Sequence, residues 1–340
     1  MAHNLTIVNG KASMAYVGAT PWHGLGQELT ADAPIEQWLI EAGMNFNICR
    51  SRVRFGANEA PVIWDARHVL FRSDTKAPIS IVSEDYKLVQ PREVLEFFRD
   101  LCDKQGMTLE TAGTLKGGAV YWALAKLPLD FTLAGGDAVK GYVLLATSAD
   151  MSLSTIGKVT STRVVCNNTL DVALGEKGKQ AVKVRHSTTF KAQQVKVELG
   201  LVSEQWEAFA SNCQKLSRRQ LSRKEALSIL IDVMGDSSKP VAEQPNARPM
   251  GEIMSLFSGK AKGADLDSAK GTAWGLVNAA TEYFDHNAGR STETRLQSSW
   301  FGANAGRKNA IYNTALGMAD MGMDVAGADG SELLAGLLAK

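Results

Sequence analysis

The stretch Thr108–Ala149, TLETAGTLKGGAVYWALAKLPLDFTLAGGDAVKGYVLLATSA, contains three runs of β-branched, aromatic and aliphatic residues. Two glycine-bearing segments, KGG (116–118) and LAGGD (133–137), separate the runs, and both suit the tight turns of β-hairpins. Because such connections are too short for crossover helices, the strands are expected to be antiparallel. The segment LSTIGKVTSTRVVC (153–166) predicts a fourth strand.

Helical patterns flank these strands. The segment PREVLEFFRDLCDKQG (91–106) has a proline in its first turn and a glycine at its end, as helices often do. Its predicted apolar face consists of Val94, Leu95, Phe98, Leu101 and Cys102. After the fourth strand, NNTLDVALGEKG (167–178) predicts another helix, with asparagine as the N-cap. The predicted fold class is therefore α+β: an antiparallel sheet with a helix–β–β–β–helix core, followed by a mostly helical C-terminal part.

The rest of the chain divides by composition. Residues 32–41 predict a short helix capped by Asp32, and short β-branched and aromatic runs between residues 45 and 89 predict a hairpin series. The segment 234–251 has three prolines and few apolar residues, which is typical of a linker. The predicted organisation is an α+β antiparallel-sheet domain (1–186), long amphipathic helices (187–233), this linker, and a helical C-terminal region (252–340).

Overall composition excludes several classes of protein. The formal net charge of +1 gives no global attraction to nucleic acid or membranes, so any such case must rest on local charge. The four cysteines form no C-x-x-C motif, and no leader pattern or long apolar run is present. These features predict a protein of a reducing cytoplasm with no membrane contact. No phosphate-binding glycine loop is found, and no cofactor is expected.

An amphipathic stripe follows the sheet region. Its members recur every three or four residues over about three heptads: Val195, Leu199, Val202, Trp206, Phe209, Cys213 and Leu216. The simpler interpretation is one long helix packed on its own domain. An intermolecular coiled coil is the alternative, and it would make the stripe a protein-interaction surface.

Basic residues are concentrated in the middle of the chain. Between Gly157 and Lys224, roughly 13 Lys and Arg residues stand against 5 Asp and Glu residues. Arg50, Arg52 and Arg54 alternate along a predicted strand and so share one face. A solvated surface would explain these charges, and a phosphate-tracking groove is the competing hypothesis. The candidate nucleic-acid-binding residues are Arg50, Arg52, Arg54, Arg163, Lys183 and Arg185, with Tyr121 and Trp122 for base stacking.

Catalytic alternatives depend on a few side chains. In TEYFDH, residues Glu282, Asp285 and His286 would share one helical face, as ligands of a hydrolytic metal site do, with His23 or His186 as a further ligand. Helix capping and pairing with nearby arginines explain the same residues. Cys166, just before the predicted helix at 167, suggests a nucleophile, but the asparagine cap explains this junction without catalysis. No catalytic or metal-binding residue is assigned, and a metal-dependent hydrolase remains the alternative.

Several ordered motifs resemble one family. PWHGLG, SEDYKLVQPREVLEFF, ETAGTLKGGAVYWALAKL, TRVVCNNTLDVAL and NAATEYFDHNAGRSTETRLQSSWFGANAGRKNAI lie within residues 21–310. Together they resemble the phage/plasmid-like proteins that carry a domain of unknown function. The resemblance implies a mobile-element product in the bacterial host cytoplasm.

A weaker, topological resemblance links residues 91–175 to the single-strand annealing proteins of phage recombination, the RecT, Red-beta and Rad-type superfamily. It implies an oligomer with DNA in a basic groove. The function expected from the sequence is thus a non-enzymatic, homo-oligomeric protein that binds nucleic acid, single-stranded DNA being favoured, in phage or plasmid recombination or replication. The alternatives are a metal-dependent hydrolase or nuclease and a phage–host protein-interaction protein that acts through the amphipathic stripe.

Overall fold

A computed structural model describes residues 7–8, 10–18, 25–56, 61–163, 168–171, 181–199, 202–240, 243–289 and 292–324. The chain folds into two compact units. The first comprises residues 1–129, 141–160 and 172–203, and the second comprises 130–140, 161–171 and 204–340. The linker predicted at 234–251 thus falls inside the second unit.

Strands dominate the first half of the chain. They are β1 (Ile7–Val8), β2 (Lys11–Ala12), β3 (Met14–Val17), β4 (Gln27–Leu29), β5 (Ile48–Phe55), β6 (Val62–Arg72), β7 (Pro78–Ser83), β8 (Thr108–Leu115), β9 (Val120–Leu133), β10 (Asp137–Ser148), β11 (Thr155–Arg163), β12 (Asn168–Asp171) and β13 (Val182–Val184).

The described residues form nine α-helices, and all but the first two lie in the second half of the chain. They are α1 (Ile35–Glu41), α2 (Pro91–Gln105), α3 (Ala192–Leu199), α4 (Val202–Arg218), α5 (Arg223–Met234), α6 (Ala247–Ser255), α7 (Ala273–Glu282), α8 (Thr292–Phe301) and α9 (Ala303–Asp324). Short π-helical turns follow α6 at Leu256–Lys260 and α7 at Tyr283–Asn287. The predicted α+β class with a helical C-terminal part is confirmed.

The main sheet has the strand order β12-β11-β10-β9-β8-β3-β4, and β13 also pairs with β11. Its centre is the stretch quoted first. The predicted strands correspond to β8, β9, β10 and β11, and their turns contain Gly117 (φ 66°) and Gly135 (φ 77°). Since a side chain at these positive φ values is strained, glycine is what allows the tight connections.

Helix α2 confirms its sequence prediction at both ends. It begins at Pro91 and stops at Gly106, which is left-handed (φ 66°). The predicted face is largely buried, with Val94, Leu95, Phe98 and Leu101 each at most 3% exposed. Gln90, just before the helix, clamps it to β5, because its side-chain amide accepts from Ile48 N (2.9 Å) and donates to Ile48 O (3.1 Å).

Strands β5, β6 and β7 form a separate antiparallel sheet with a bulge. Arg52 pairs with His68, but the next residue, Val53, pairs with Trp64, so three residues of β6 lie opposite no residue of β5. Strand β7 pairs with β6 only from Arg67 to Phe71. Beyond the bulge, the two strands therefore continue as a ribbon, and no other strand of the described residues pairs with it. We call residues 53–55 and 62–64 the arm.

Two sequence predictions are corrected by the backbone. Asn168–Asp171 is the edge strand β12 and not the start of a helix; residues 164–167 and 172–180, including Cys166, lie outside the described residues. The stripe predicted as one long helix lies on α3 and α4, and residues 200–201 between them also lie outside the described residues. The short helix α1 starts at Ile35 after Pro34, not after Asp32.

The second unit buries an aromatic cluster. The rings of Trp206 and Phe209 on α4 lie 5.5 and 6.0 Å from that of Phe131, and Tyr312 of α9 lies 5.8 Å from Phe209. Trp206 and Phe209 are 3% and 4% exposed, and Cys213 and Leu216 are fully buried. The stripe members on α4 from Trp206 to Leu216 are therefore covered by their own chain, which favours intramolecular packing over a coiled coil between chains.

A close approach in the second unit requires glycine at position 275. A Cβ built on Gly275, inside α7, would collide with the backbone carbonyl of Ala269. Gly317 in α9 is a suitable comparison, since a Cβ there would meet nothing within 4 Å.

We expect Gly275→Ala to destabilise the protein by about 1–3 kcal/mol through overpacking, despite the better helix propensity of alanine. Gly317→Ala is expected to stabilise it by up to about 1 kcal/mol. Urea-induced unfolding followed by circular dichroism measures both. Equal effects of the two substitutions would contradict the close approach.

Candidate nucleic-acid interface

The turn after β7 binds an arginine from β5. The Arg50 guanidinium donates to the carbonyl oxygens of Glu84 (3.2 Å) and Tyr86 (2.7 Å). A charged donor shared between two carbonyls fixes both the side chain and the turn. Arg50 is thus partly committed to structure, although the residue as a whole is exposed.

The same turn holds the segment after β13 through His186. Its ring stacks on that of Tyr86 with centroids 4.5 Å apart and an interplanar angle of 17°. Its Nδ1 lies 3.0 Å from Lys87 O and its Nε2 lies 2.9 Å from Leu153 O, while Lys87 N donates to His186 O at 2.5 Å. Three parts of the chain that are far apart in sequence therefore meet at one imidazole.

Tyr86, on which the His186 ring stacks, is itself fixed by a hydrogen bond. Its hydroxyl donates to Ser148 O at 2.9 Å, and burial raises the pKa of the phenol. The tyrosine therefore stays neutral and keeps its hydrogen bond at all ordinary pH values. It is 9% exposed, so its second ring face does not offer a free stacking surface.

The exposed basic residues around this junction are Lys87, Lys183 and Arg185. Lys183 and Arg185 lie on and just after β13, and the His186 contacts place their segment beside the turn that binds Arg50. Both the 183–185 segment, through His186, and Arg50 are thus held at the same turn. Two acids, Glu84 and Asp85, lie in the turn itself. The side chain of Arg163 lies outside the described residues.

Arg52 and Arg54 extend the basic surface along β5. Both are exposed, and alternate residues of a strand share a face about 6.6 Å apart. Arg52 pairs with Asp65 at 3.3 Å, with side chains 65% and 79% exposed. Such a pair contributes about 0–1 kcal/mol, so a phosphate can displace the aspartate at little cost.

The predicted stacking residues are wrong. Tyr121 and Trp122, on β9, are 0% and 2% exposed, so no base can reach either ring. The Tyr121 hydroxyl donates to Val89 O, and burial raises its pKa well above the ordinary value. Both residues belong to the core because β9 lies inside the sheet, with β8 on one side and β10 on the other.

Other aromatic side chains are exposed instead. Phe55 and Trp64, in the arm, are 55% and 46% exposed. Their ring centroids lie 6.4 Å apart in an edge-to-face arrangement, and the Arg67 guanidinium lies 5.5 Å from the centre of the Trp64 ring. The sequence contains a partial signal for them, since both residues lie near the Gly-Ala-Asn cluster (56–58), which the sequence predicts to be a turn. The bulge that turns Trp64 outward has no such signal.

The two carboxylates of the metal-site hypothesis already accept hydrogen bonds from other groups of the protein. Glu282 accepts a hydrogen bond from Lys262 N (2.9 Å), and Asp285 accepts from Lys308 Nζ (2.7 Å) and from the Ser299 hydroxyl. In the described part of the chain, no group of three or more His, Cys, Asp or Glu side chains could hold a metal ion. His23 lies outside that part.

A pocket of about 270 Å³ lies elsewhere in the first unit. Its polar lining includes Lys11, Gln27, Glu41, Arg72 and Asp74. Arg72 donates to both carboxylate oxygens of Asp74, lies 3.8 Å from the centre of the Phe46 ring, and holds the pKa of Asp74 at about 2. The lining contains two cationic and two anionic side chains, so its formal charges balance.

The fold and these surfaces define an α+β protein with an exposed basic and aromatic ribbon. Residues 78–300, about two thirds of the chain, match the family described as "Domain of unknown function (DUF932)", and the chain belongs to this family. The match includes the turn at 84–87 and His186, whereas the arm precedes it. No curated protein and no solved structure matches the chain. Among the described residues, no helix is both long and apolar enough to cross a membrane.

The His186 junction is testable by substitution. His186→Ala removes the stack on Tyr86 and both ring contacts, and we expect a loss of about 2 kcal/mol in unfolding free energy. Lys183→Ala, an exposed change in the same segment, should stay within about 0.5 kcal/mol. Urea titration measures both. If His186→Ala leaves the free energy of unfolding unchanged, the junction does not contribute to stability.

The buried Lys308–Asp285 pair gives a second prediction. Its side chains are only 4% and 8% exposed, so Asp285→Ala leaves a buried charge uncompensated and should cost about 3–5 kcal/mol. Adding Lys308→Met should restore much of that loss, because the charge is then gone. A double-mutant cycle by urea denaturation checks this, and strictly additive losses would contradict the pairing.

Proposed function

We propose that this protein binds nucleic acid without catalysing a reaction on it, and that single-stranded DNA is its preferred ligand. The supporting observation is the basic surface that runs from Arg52 and Arg54 to the junction of the 84–87 turn with Lys183 and Arg185. Residues separated by more than 120 positions contribute to one surface of the first unit.

Phosphate binding is the chemistry that suits these groups. Each Arg or Lys side chain that neutralises a phosphate releases condensed counterions, and this release drives association even when net charge is near zero. Arg54, Lys87, Lys183 and Arg185 are exposed and free to turn toward a backbone in solution. Arg50 completes the proposed set through whichever of its donors the turn does not use.

The biological setting belongs to the proposal as well. The resemblance to phage/plasmid-like proteins favours an accessory role in recombination or replication of mobile DNA in the host cytoplasm. A homo-oligomer fits such a role, because several copies can follow one strand. The similarity to annealing proteins is reduced by β12, which replaces the start of the expected second helix.

A salt series tests the proposal. With about six phosphates neutralised, the logarithm of the affinity for a labelled 30-nucleotide single strand should fall with log salt at a slope of about −4. The double variant Arg54→Ala/Arg185→Ala should reduce that slope to about −2.8, since four contacts remain.

The matched control is Arg223→Ala/Lys224→Ala, which removes the same charge from exposed positions at the start of α5. We expect its slope to equal that of the unmodified protein. Absence of binding at low salt would overturn the proposal, and equal flattening by the control would show that only net charge matters.

A further inference from the structure

The arm has two chemically different faces. Directly paired residues of antiparallel strands share a face, so Phe55 with its partner Val62 and Val53 with its partner Trp64 lie on one side. The pair Arg54 and Ile63 lies on the other. Phe55, Val62 and Trp64 are 55%, 55% and 46% exposed, which leaves an apolar patch in water on one face of the ribbon.

The bulge creates this orientation. In an unbroken strand, Trp64 would share the face of His68 and Leu70, because residues two apart point the same way. Leu70 is fully buried. The register change between Arg52 and Val53 reverses the alternation of β6, so that Trp64 turns to the opposite face. The register of the strand pairing therefore determines that the Trp64 indole is exposed.

Trp64 is also held in place. Phe55 contacts it edge to face, and the Arg67 guanidinium lies 5.5 Å from the ring centre, within cation–π range. An edge-to-face pair leaves outer ring faces uncovered, in agreement with the exposures of both rings. A positioned aromatic pair with an arginine beside it is the combination on which unpaired bases stack.

Charge decides between the possible occupants of this face. Two arms packed through this face would bring the Arg67 guanidinium beside each Trp64 toward that of the other copy, which is unfavourable. A nucleic acid strand on the same face meets Arg67 with a phosphate. Exposed aromatic rings beside a cation therefore fit a polyanion with flat apolar groups better than a second copy of this chain.

We propose that Phe55 and Trp64 form a base-stacking platform, so that the protein recognises unpaired bases as well as the phosphate backbone. This inference rests on the proposed nucleic-acid binding and extends it to the ligand class, a strand with accessible bases. The phosphate contacts give affinity that depends on salt, and the platform adds affinity that depends on the bases.

Two oligomers of equal length and charge separate these contributions: oligo(dT) of 30 nucleotides and an abasic deoxyribose-phosphate strand of 30 units. The unmodified protein should bind oligo(dT) more tightly. Trp64→Ala should weaken binding to oligo(dT) roughly ten- to a hundredfold and leave binding to the abasic strand and the salt slope unchanged. Trp64→Phe keeps a ring and should retain most of the affinity.

Met321→Ala is the matched control, because it removes another exposed apolar side chain, 58% exposed, from α9 of the second unit. It should bind both strands like the unmodified protein. Circular dichroism and light scattering on each variant verify the fold and the oligomeric state.

The outcomes are distinguishable. If neither strand binds at low salt, the proposed function fails and the platform fails with it. If both strands bind equally well and Trp64→Ala changes neither, binding stands and the stacking platform is overturned. If Trp64→Ala instead lowers the oligomeric state without a base-dependent loss of affinity, the face joins two copies and the inference is again overturned.

Discussion

Backbone carbonyl groups around the turn after β7 hold the first unit's basic surface together. Glu84 and Tyr86 accept hydrogen bonds from Arg50, and the Lys87 carbonyl faces the ring of His186. Carbonyl groups in a turn have no sheet partner, so cationic and imidazole side chains satisfy them at little cost in competing hydrogen bonds. Through these contacts, a strand from the start of the chain and a segment more than 120 residues later are fixed to one short turn.

Lysine has different roles in the two units. Lys183 is exposed, whereas Lys308 is 3% exposed and bound to Asp285 and Ser299. A buried lysine of this kind brings α7, α8 and α9 together at one ammonium group, since its partners come from the turn after α7 and from α8. Charge patterns in a sequence do not separate these roles, because both lysines lie in segments of mixed polarity.

The sequence predicts best where local chemistry decides the backbone. Glycine turns locate β8, β9 and β10, and Pro91 with Gly106 delimits α2. Prediction fails where tertiary pairing overrides local preference. Asn168 suits a helix N-cap but lies in β12, which gains its hydrogen bonds from β11. Tyr121 and Trp122 lie in a nearly continuous apolar run, which is the pattern of a strand buried on both faces, and that signal argued against their use in stacking.

The candidate site was predictable in part for the same reasons. Alternating arginines on β5 follow from the period of a strand, so Arg52 and Arg54 could be found from sequence. Trp64 could not, because the reversal of its face depends on how β6 pairs across the bulge. The position of the segment that contains Arg185 depends on long-range contacts of His186 with the turn at 84–87, for which the sequence contains only a histidine in a basic segment.

The bulge between β5 and β6 has an evolutionary consequence. The pairs from Ile48 to Arg52 fix the strands to the core side of the sheet, and three residues of β6 without a β5 partner separate them from the arm. Insertions, deletions or exchanges beyond that point leave the register of the remaining pairs intact. The arm also precedes the part of the chain that matches the family. The arm can therefore change in sequence and length without disturbing the scaffold that holds it.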